Sequence, residues 1–201
     1  MTVWRGIALA VTVLWWGAGQ ALAAAGEDPD WPCIQRLVPE IAPAVIWPGP
    51  PIEAVDAAPA PTLDELAGEL AARRVPLAEA QEQVDAFART LNGEEKDAQL
   101  IELFVRTLEI VNRDRASIIQ GIKKYARGQR ALAETITAKN ERLSELPADQ
   151  VLERDTLIAE RDWDIRVYDD RQSALTYLCE QPVLLEQRAF AMGRAIAGQL
   201  E

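Results

Sequence analysis

Histidine is absent from this 201-residue chain, and with it go the commonest general base and the commonest transition-metal ligand. Cysteine occurs only as Cys33 and Cys179, too far apart for a Cys-x-x-Cys redox pair and too few for a thiolate metal site without histidine. There is no Gly-x-Ser-x-Gly elbow, no Ser-x-x-Lys, no phosphate-cradling glycine loop and no dinucleotide fingerprint. Together these absences argue against an enzyme. The sequence assigns no catalytic, cofactor-binding or metal-ligating residue, and it requires no cofactor.

Positive charge is also in short supply. The net charge of -11 repels phosphate backbones and anionic lipid, so nucleic acid is not an expected partner. One basic run, Arg113 to Arg130, goes against this trend, and it is read as pairing with acidic residues on a neighbouring helix. The densest carboxylates, Asp162-x-Asp164 and Asp169-Asp170, lack the glycine turn of a calcium loop and read as a solvated, salt-bridged face.

What is present begins with an address. Met1 to Arg5 carries one positive charge, Gly6 to Gly19 is apolar, and Ala21-Leu22-Ala23-Ala24-Ala25 offers small-residue cleavage sites. This is the pattern of a secretory signal peptide over residues 1–25. Its apolar core is shorter than the roughly 20 residues needed to span a bilayer. The mature chain is therefore expected in the periplasm, exported across the bacterial inner membrane. Membrane contact follows only if the segment stays uncleaved. An exported chain with two cysteines pairs them, which ties the start of the mature chain to its last quarter through Cys33 and Cys179.

Nine of the twelve prolines lie between Pro29 and Pro61. Proline fixes φ and lacks an N–H, so residues 26–61 read as an extended strap, too rich in Ile, Leu, Val and Trp for a free linker. Two short helices follow over 62–93. Thr62 with Glu65 gives a capping-box start to the first, Pro76 opens the second, and Asn92-Gly93 stops it.

Residues 94–146 contain no proline. Their apolar or tolerated residues recur at spacings of three and four, from Ile101 and Phe104 through Arg115, Ile122, Gln129 and Ile136 to Leu143. After a turn signal at Leu146-Pro147-Ala148-Asp149 the spacing resumes from Val151 through Ile158, Ile165 and Gln172 to Cys179. Two heptad helices joined by so short a turn must lie antiparallel.

The expected register sets Leu143 against Val151, Ile136 against Ile158, Gln129 against Ile165, Ile122 against Gln172 and Arg115 against Cys179. Lys123, Lys124 and Arg130 then face Asp170, Asp169 and Asp164. Arg115, Gln129 and Gln172 are read as polar register devices in the seam. Pro182 is expected to end the hairpin (94–181) and to start a separate amphipathic helix over 182–201.

The fold class is all-α: a long, coiled-coil-like antiparallel helical hairpin on a small helical base, with an N-terminal Pro-rich extended strap. Trp163 falls at the outermost heptad position of the second arm, where a large aromatic is either covered by the strap or awaits a partner. The functional expectation is a non-enzymatic cell-envelope adaptor or scaffold whose partners are proteins. Two alternatives stand beside it: a periplasmic holdase chaperone, and a small-ligand carrier with a pocket between base and strap lined by Trp31, Trp47 and Tyr177. The sequence assigns no oligomeric state.

Overall fold

A computed structural model describes residues 28–52, 60–93 and 95–201. The signal-peptide reading of residues 1–25, the start of the mature chain and most of the 53–61 connector lie outside the described residues. The regular elements are all helices: α1 (Pro43–Ile46), α2 (Pro61–Ala71), α3 (Leu77–Ala88), α4 (Glu95–Glu145) and α5 (Val151–Ala197). α4 and α5 pack against each other as the hairpin, and α1, α2 and α3 gather at its root.

Local sequence accounts for most boundaries. α2 opens on Pro61 at its first turn, where the preset φ suits a helix and the missing N–H has no partner to lose. The expected capping box does not form: the N-cap is Ala60, with no side-chain bond. Thr62 and Glu65 lie inside the helix and face solvent, Thr62 two residues past the capping position. Gly93 adopts φ 70° in the turn from α3 to α4, a conformation that favours glycine.

Two expectations about proline are corrected. The strap is not extended throughout, because Pro43 sits at the start of the four-residue helix α1. Pro182 lies inside α5 and does not end it, so 151–197 is one helix and the expected element 182–201 is its last third. Proline there removes one helical hydrogen bond. Pro182 is buried at the junction with α4, where its carbonyl accepts a bond from Arg115 Nε at 3.2 Å. Burial of Gln181 and Pro182 against α4, with the Arg115 bond, holds the helix through the defect.

The core sits at the root. Leu70, Val84, Leu100, Leu103, Phe104, Val111, Leu185, Met192 and Ile196 are essentially inaccessible, and each large side chain contributes about 1.5–3 kcal/mol on burial. The strap closes this core from outside. Trp47 stacks on Phe104 with ring centroids 4.4 Å apart, and Ile46 is buried beside it. At Gly193 an added Cβ would come within 2.8 Å of the Ile46 carbonyl oxygen, so the close approach of strap to α5 requires glycine.

Buried arginines complete the root. Arg188 Nε donates to the Leu70 carbonyl at 2.5 Å and its Nη1 to that of Val75 at 2.7 Å, satisfying carbonyls at and beyond the C-terminal end of α2. Arg115 links three segments through Pro182, the Val38 carbonyl at 3.0 Å and Glu186 at 3.6 Å. Burial lowers the pKa of both guanidinium groups, yet both stay charged.

Candidate functional site

The arm beyond the root is built from the polar seam upward. Tyr125 Oη donates to the Arg171 carbonyl at 2.9 Å, Gln129 Nε2 to the Tyr168 carbonyl at 3.1 Å, and Arg154 Nη1 to the Leu143 carbonyl at 2.8 Å. These bonds fix a register about three residues away from the expected one. Gln129 faces Tyr168 instead of Ile165, Leu143 faces Arg154 instead of Val151, and Arg115 faces Pro182 instead of Cys179.

The reason lies at the turn. Arg154 also donates to the Leu146 carbonyl at 2.9 Å, so it caps the C-terminal end of α4, where carbonyls lack helical partners and a cation is favoured. The first turn of α5 therefore overshoots the end of α4. Val151 and Leu152 are exposed, and Leu157 is the buried apolar residue in their place. Of the three polar seam residues, Arg115 and Gln129 are buried and Gln172 is exposed.

The basic run does not meet the acidic run of α5. Lys123 Nζ binds Asp28 at 2.8 Å, Arg127 binds Asp30 at 2.6 Å, and Arg130 binds both Asp30 and the Pro29 carbonyl, the latter at 2.9 Å. The strap thus takes Lys123 and Arg130, two of the three cations that were expected to face carboxylates across the hairpin. These guanidinium and ammonium partners hold the carboxyls of Asp28 and Asp30 below their ordinary range. Asp169 and Asp170 are exposed and make no ion pair among the described residues. Farther out, Lys139 binds Asp164 at 2.9 Å and Glu160 at 3.4 Å, and Arg142 binds Glu153 at 2.6 Å.

Cys33 and Cys179 form a disulfide with their Cα atoms 5.6 Å apart. Gln35 Nε2 donates to the Cys179 carbonyl beside it, and Asn112 holds both the N–H and the carbonyl of Ile41, at 2.9 and 3.0 Å. The strap therefore runs along one flank of the hairpin from Arg130 down to the root. Ile34, next to the disulfide, is fully exposed (105%). It borders an open groove of about 700 Å³ lined also by Leu175, Cys179, Val183 and Leu184.

Trp163 is 61% exposed. Its one ring neighbour of note is the Arg166 guanidinium, 5.5 Å from the ring centroid on the same helix. Among the described residues, no strap residue bonds to it. Trp31, Trp47 and Tyr177 do not come together: Trp47 stacks in the root, Trp31 bonds the Gln35 carbonyl, and Tyr177 is 65% exposed. The expected ligand cavity between them is not formed. Among the described residues, no three carboxylates or thiols approach closely enough to share a metal ion, and no helix is long and apolar enough to cross a membrane.

Sequence reasoning missed Asp28, Asp30, Arg154 and Arg188. A signal existed for the first two, since pairing Cys33 with Cys179 leaves Asp30 only three residues from an anchor near the basic run. Compared with models of protein families, with curated proteins and with solved structures, the chain matches none.

Proposed function

We propose that this protein is a non-enzymatic adaptor of the bacterial cell envelope, exported to the periplasm, whose helical arm engages a protein partner. The observation that carries this reading is the exposure of Trp163 on an arm that adds little to the core. Beyond Gln129 the buried residues are Leu143 and Leu157, whereas the root holds a continuous cluster without the arm. Amphipathic aromatic side chains left in solvent are frequent anchors of protein interfaces. A disulfide between the strap and α5 supports an oxidising compartment.

The test is deletion of the arm. A variant lacking Ala131 to Arg161, rejoined by a short glycine-containing turn, is expected to fold, to contain no free thiol and to lose the partner retained by the intact oxidised protein. Trp163→Ala is expected to weaken that association by about 2 kcal/mol or more. Undiminished recovery by the deleted variant would move the interaction surface to the root or the strap.

One observation favours a second reading. The apolar groove beside the disulfide, with Ile34 fully exposed, suits a small hydrophobic ligand. Saturable binding of a hydrophobic dye that Ile34→Ser abolishes would favour a carrier.

A further inference from the structure

The disulfide does not lie in the core. Cys33 and Cys179 are each only half-buried, and both line the open groove of about 700 Å³. A bridge that an incoming thiolate can reach is exchangeable, whereas a buried one exchanges only after the fold opens.

The groove follows one stripe of α5. Gln172, Leu175, Cys179, Val183 and Gln187 recur at spacings of three and four, which sets them on one face over about 22 Å at 1.5 Å per residue. The strap supplies the other side through Pro32, Cys33 and Ile34. An extended segment of about six or seven residues, at about 3.3 Å each, matches this length. Ile34 and Leu184 offer it exposed apolar side chains. The amides of Gln172 and Gln187, exposed and without a hydrogen bond among the described residues, offer donors and acceptors for its backbone.

The bond is not the strap's only fastening. Above it Asp28 and Asp30 are held by Lys123, Arg127 and Arg130. Below it Arg115 holds Val38, Asn112 holds Ile41, and Trp47 stacks on Phe104. Opening the bridge therefore loosens residues 31–37 between these anchors and leaves the two cysteines near enough to pair again. Charge decides which molecule supplies the nucleophile. Glu180 is the one charged side chain lining the groove, and Cys179 lies well inside α5. A thiol is activated by a cation or a helix N-terminus beside it, and the groove offers neither. This chain is the acceptor in an exchange, and its partner brings the thiolate.

We infer that the Cys33–Cys179 bond is a site of thiol–disulfide exchange, and that the groove seats an extended apolar segment of a dithiol oxidoreductase of the envelope. The inference goes beyond the adaptor reading and uses no part of the arm. A thiolate of the partner attacks one sulfur of the bridge, forming a mixed disulfide while the other sulfur leaves as a thiolate. The partner's second thiol then attacks the mixed disulfide. The products are the partner's disulfide and the thiols of Cys33 and Cys179, two electrons and two protons having passed to this chain.

The experiment uses the full oxidised protein without denaturant and two probes. One is dithiothreitol, and the other is a Cys-x-x-Cys oxidoreductase whose second cysteine is replaced by serine, so that the mixed disulfide accumulates. Reduction by dithiothreitol is expected to rise in proportion to its concentration with no plateau. The helical signal should persist while amide exchange accelerates across residues 31–37. The single-thiol oxidoreductase should be trapped on Cys33 or Cys179. Ile34→Ser with Leu184→Ser, both at exposed positions, should slow trapping about tenfold relative to reduction by dithiothreitol. Val45→Ser, which removes an exposed apolar residue outside the groove, should change neither rate. A dithiothreitol rate that levels off at the rate of global unfolding would overturn the proposal, because the bridge would then be a closed staple. Trapping indifferent to the paired substitution defeats it as well, as does a hydrophobic dye that saturates the groove without slowing the trap. A dimer in sedimentation that Ile34→Ser dissolves would make a second copy the occupant and equally sink it.

Discussion

The root and the arm are made of the same two helices and are held together by different physics. In the root, α4 and α5 contribute Leu100, Phe104, Val111, Leu185 and Met192 to a dry cluster covered by α2, α3 and the strap. In the arm the same helices meet through Gln129, Lys139, Arg154 and Arg161 with few apolar layers. A two-helix layer cannot enclose a core, so in the arm beyond Gln129 only Leu143 and Leu157 are buried. The root is expected to resist local opening, and the arm to open first at its tip.

Breaking the link between strap and α5 has the largest expected effect. The disulfide closes a sequence separation of 146, for which the chain-entropy model gives on the order of 5 kcal/mol, an upper figure for measured cases. Cys33→Ser with Cys179→Ser should lower the denaturant midpoint with the secondary structure largely kept. A midpoint unchanged by reduction would mean that non-covalent contacts, among them those of Trp47, Asn112 and Arg115, hold the strap without the bond.

Next come paired substitutions that compare root and arm directly. Ile122 is 1% exposed, whereas Ile136 is only half-buried. Ile122→Asp should cost roughly 3–5 kcal/mol through a buried unpaired charge, and Ile136→Asp only about 1–2 kcal/mol with opening confined to the outer arm. Hydrogen exchange resolved along the chain distinguishes local from global opening. Equal costs would show that the arm is as tightly packed as the root. A smaller effect is expected at the turn, where Arg154→Ala removes two bonds to the end of α4 and should cost about 1–2 kcal/mol, read as faster exchange near residues 140–150.

The helices and the hairpin are legible because proline-free heptads and a short turn leave no other arrangement. The register is not. Heptad spacing repeats every seven residues along a face, so Leu143 against Val151 and Leu143 against Arg154 satisfy the apolar pattern almost equally well. The choice falls to Arg154, whose preference for the carbonyls of α4 carries no periodic signal. Agreement between the expected register and charge was misleading for a related reason: Lys123, Arg127 and Arg130 require carboxylates, and two sources compete. Asp28 and Asp30 win because Cys33 delivers them to that flank. Pro182 was misjudged because it and Gln181 are buried against α4 and its carbonyl is held by Arg115, which outweighs one lost hydrogen bond. The outward position of Trp163 follows from the heptad, but its 61% exposure comes from the structure alone.

The smallest effect distinguishes the upper strap from everything below it. Asp28 and Asp30 are half-buried and the guanidinium groups of Arg127 and Arg130 are about half exposed, so these ion pairs add little to global stability and are screened by salt. They do set the position of strap residues 28–30. Hydrogen bonds from Lys123 to Asp28, and from Arg127 and Arg130 to Asp30, lower the pKa of both carboxyls in the folded state. A carboxyl whose folded pKa is depressed contributes fully above its unfolded value, near 4, and that contribution is lost as pH falls through the folded value. The three cations stay charged throughout, so protonation of the aspartates alone unfastens this end. Below about pH 4, protease cleavage or hydrogen exchange around residues 28–32 should therefore accelerate while the segment from Cys33 onward, held by the disulfide, Asn112 and Arg115, stays protected. Asp28→Asn with Asp30→Asn should bring the same acceleration to neutral pH and abolish its pH dependence, and about 1 M salt should imitate it in the unsubstituted protein. If the whole strap and the root instead open together at one pH, the two aspartates are not an independent latch, and the division of the molecule into a tightly packed root and loosely fastened extremities fails at this end.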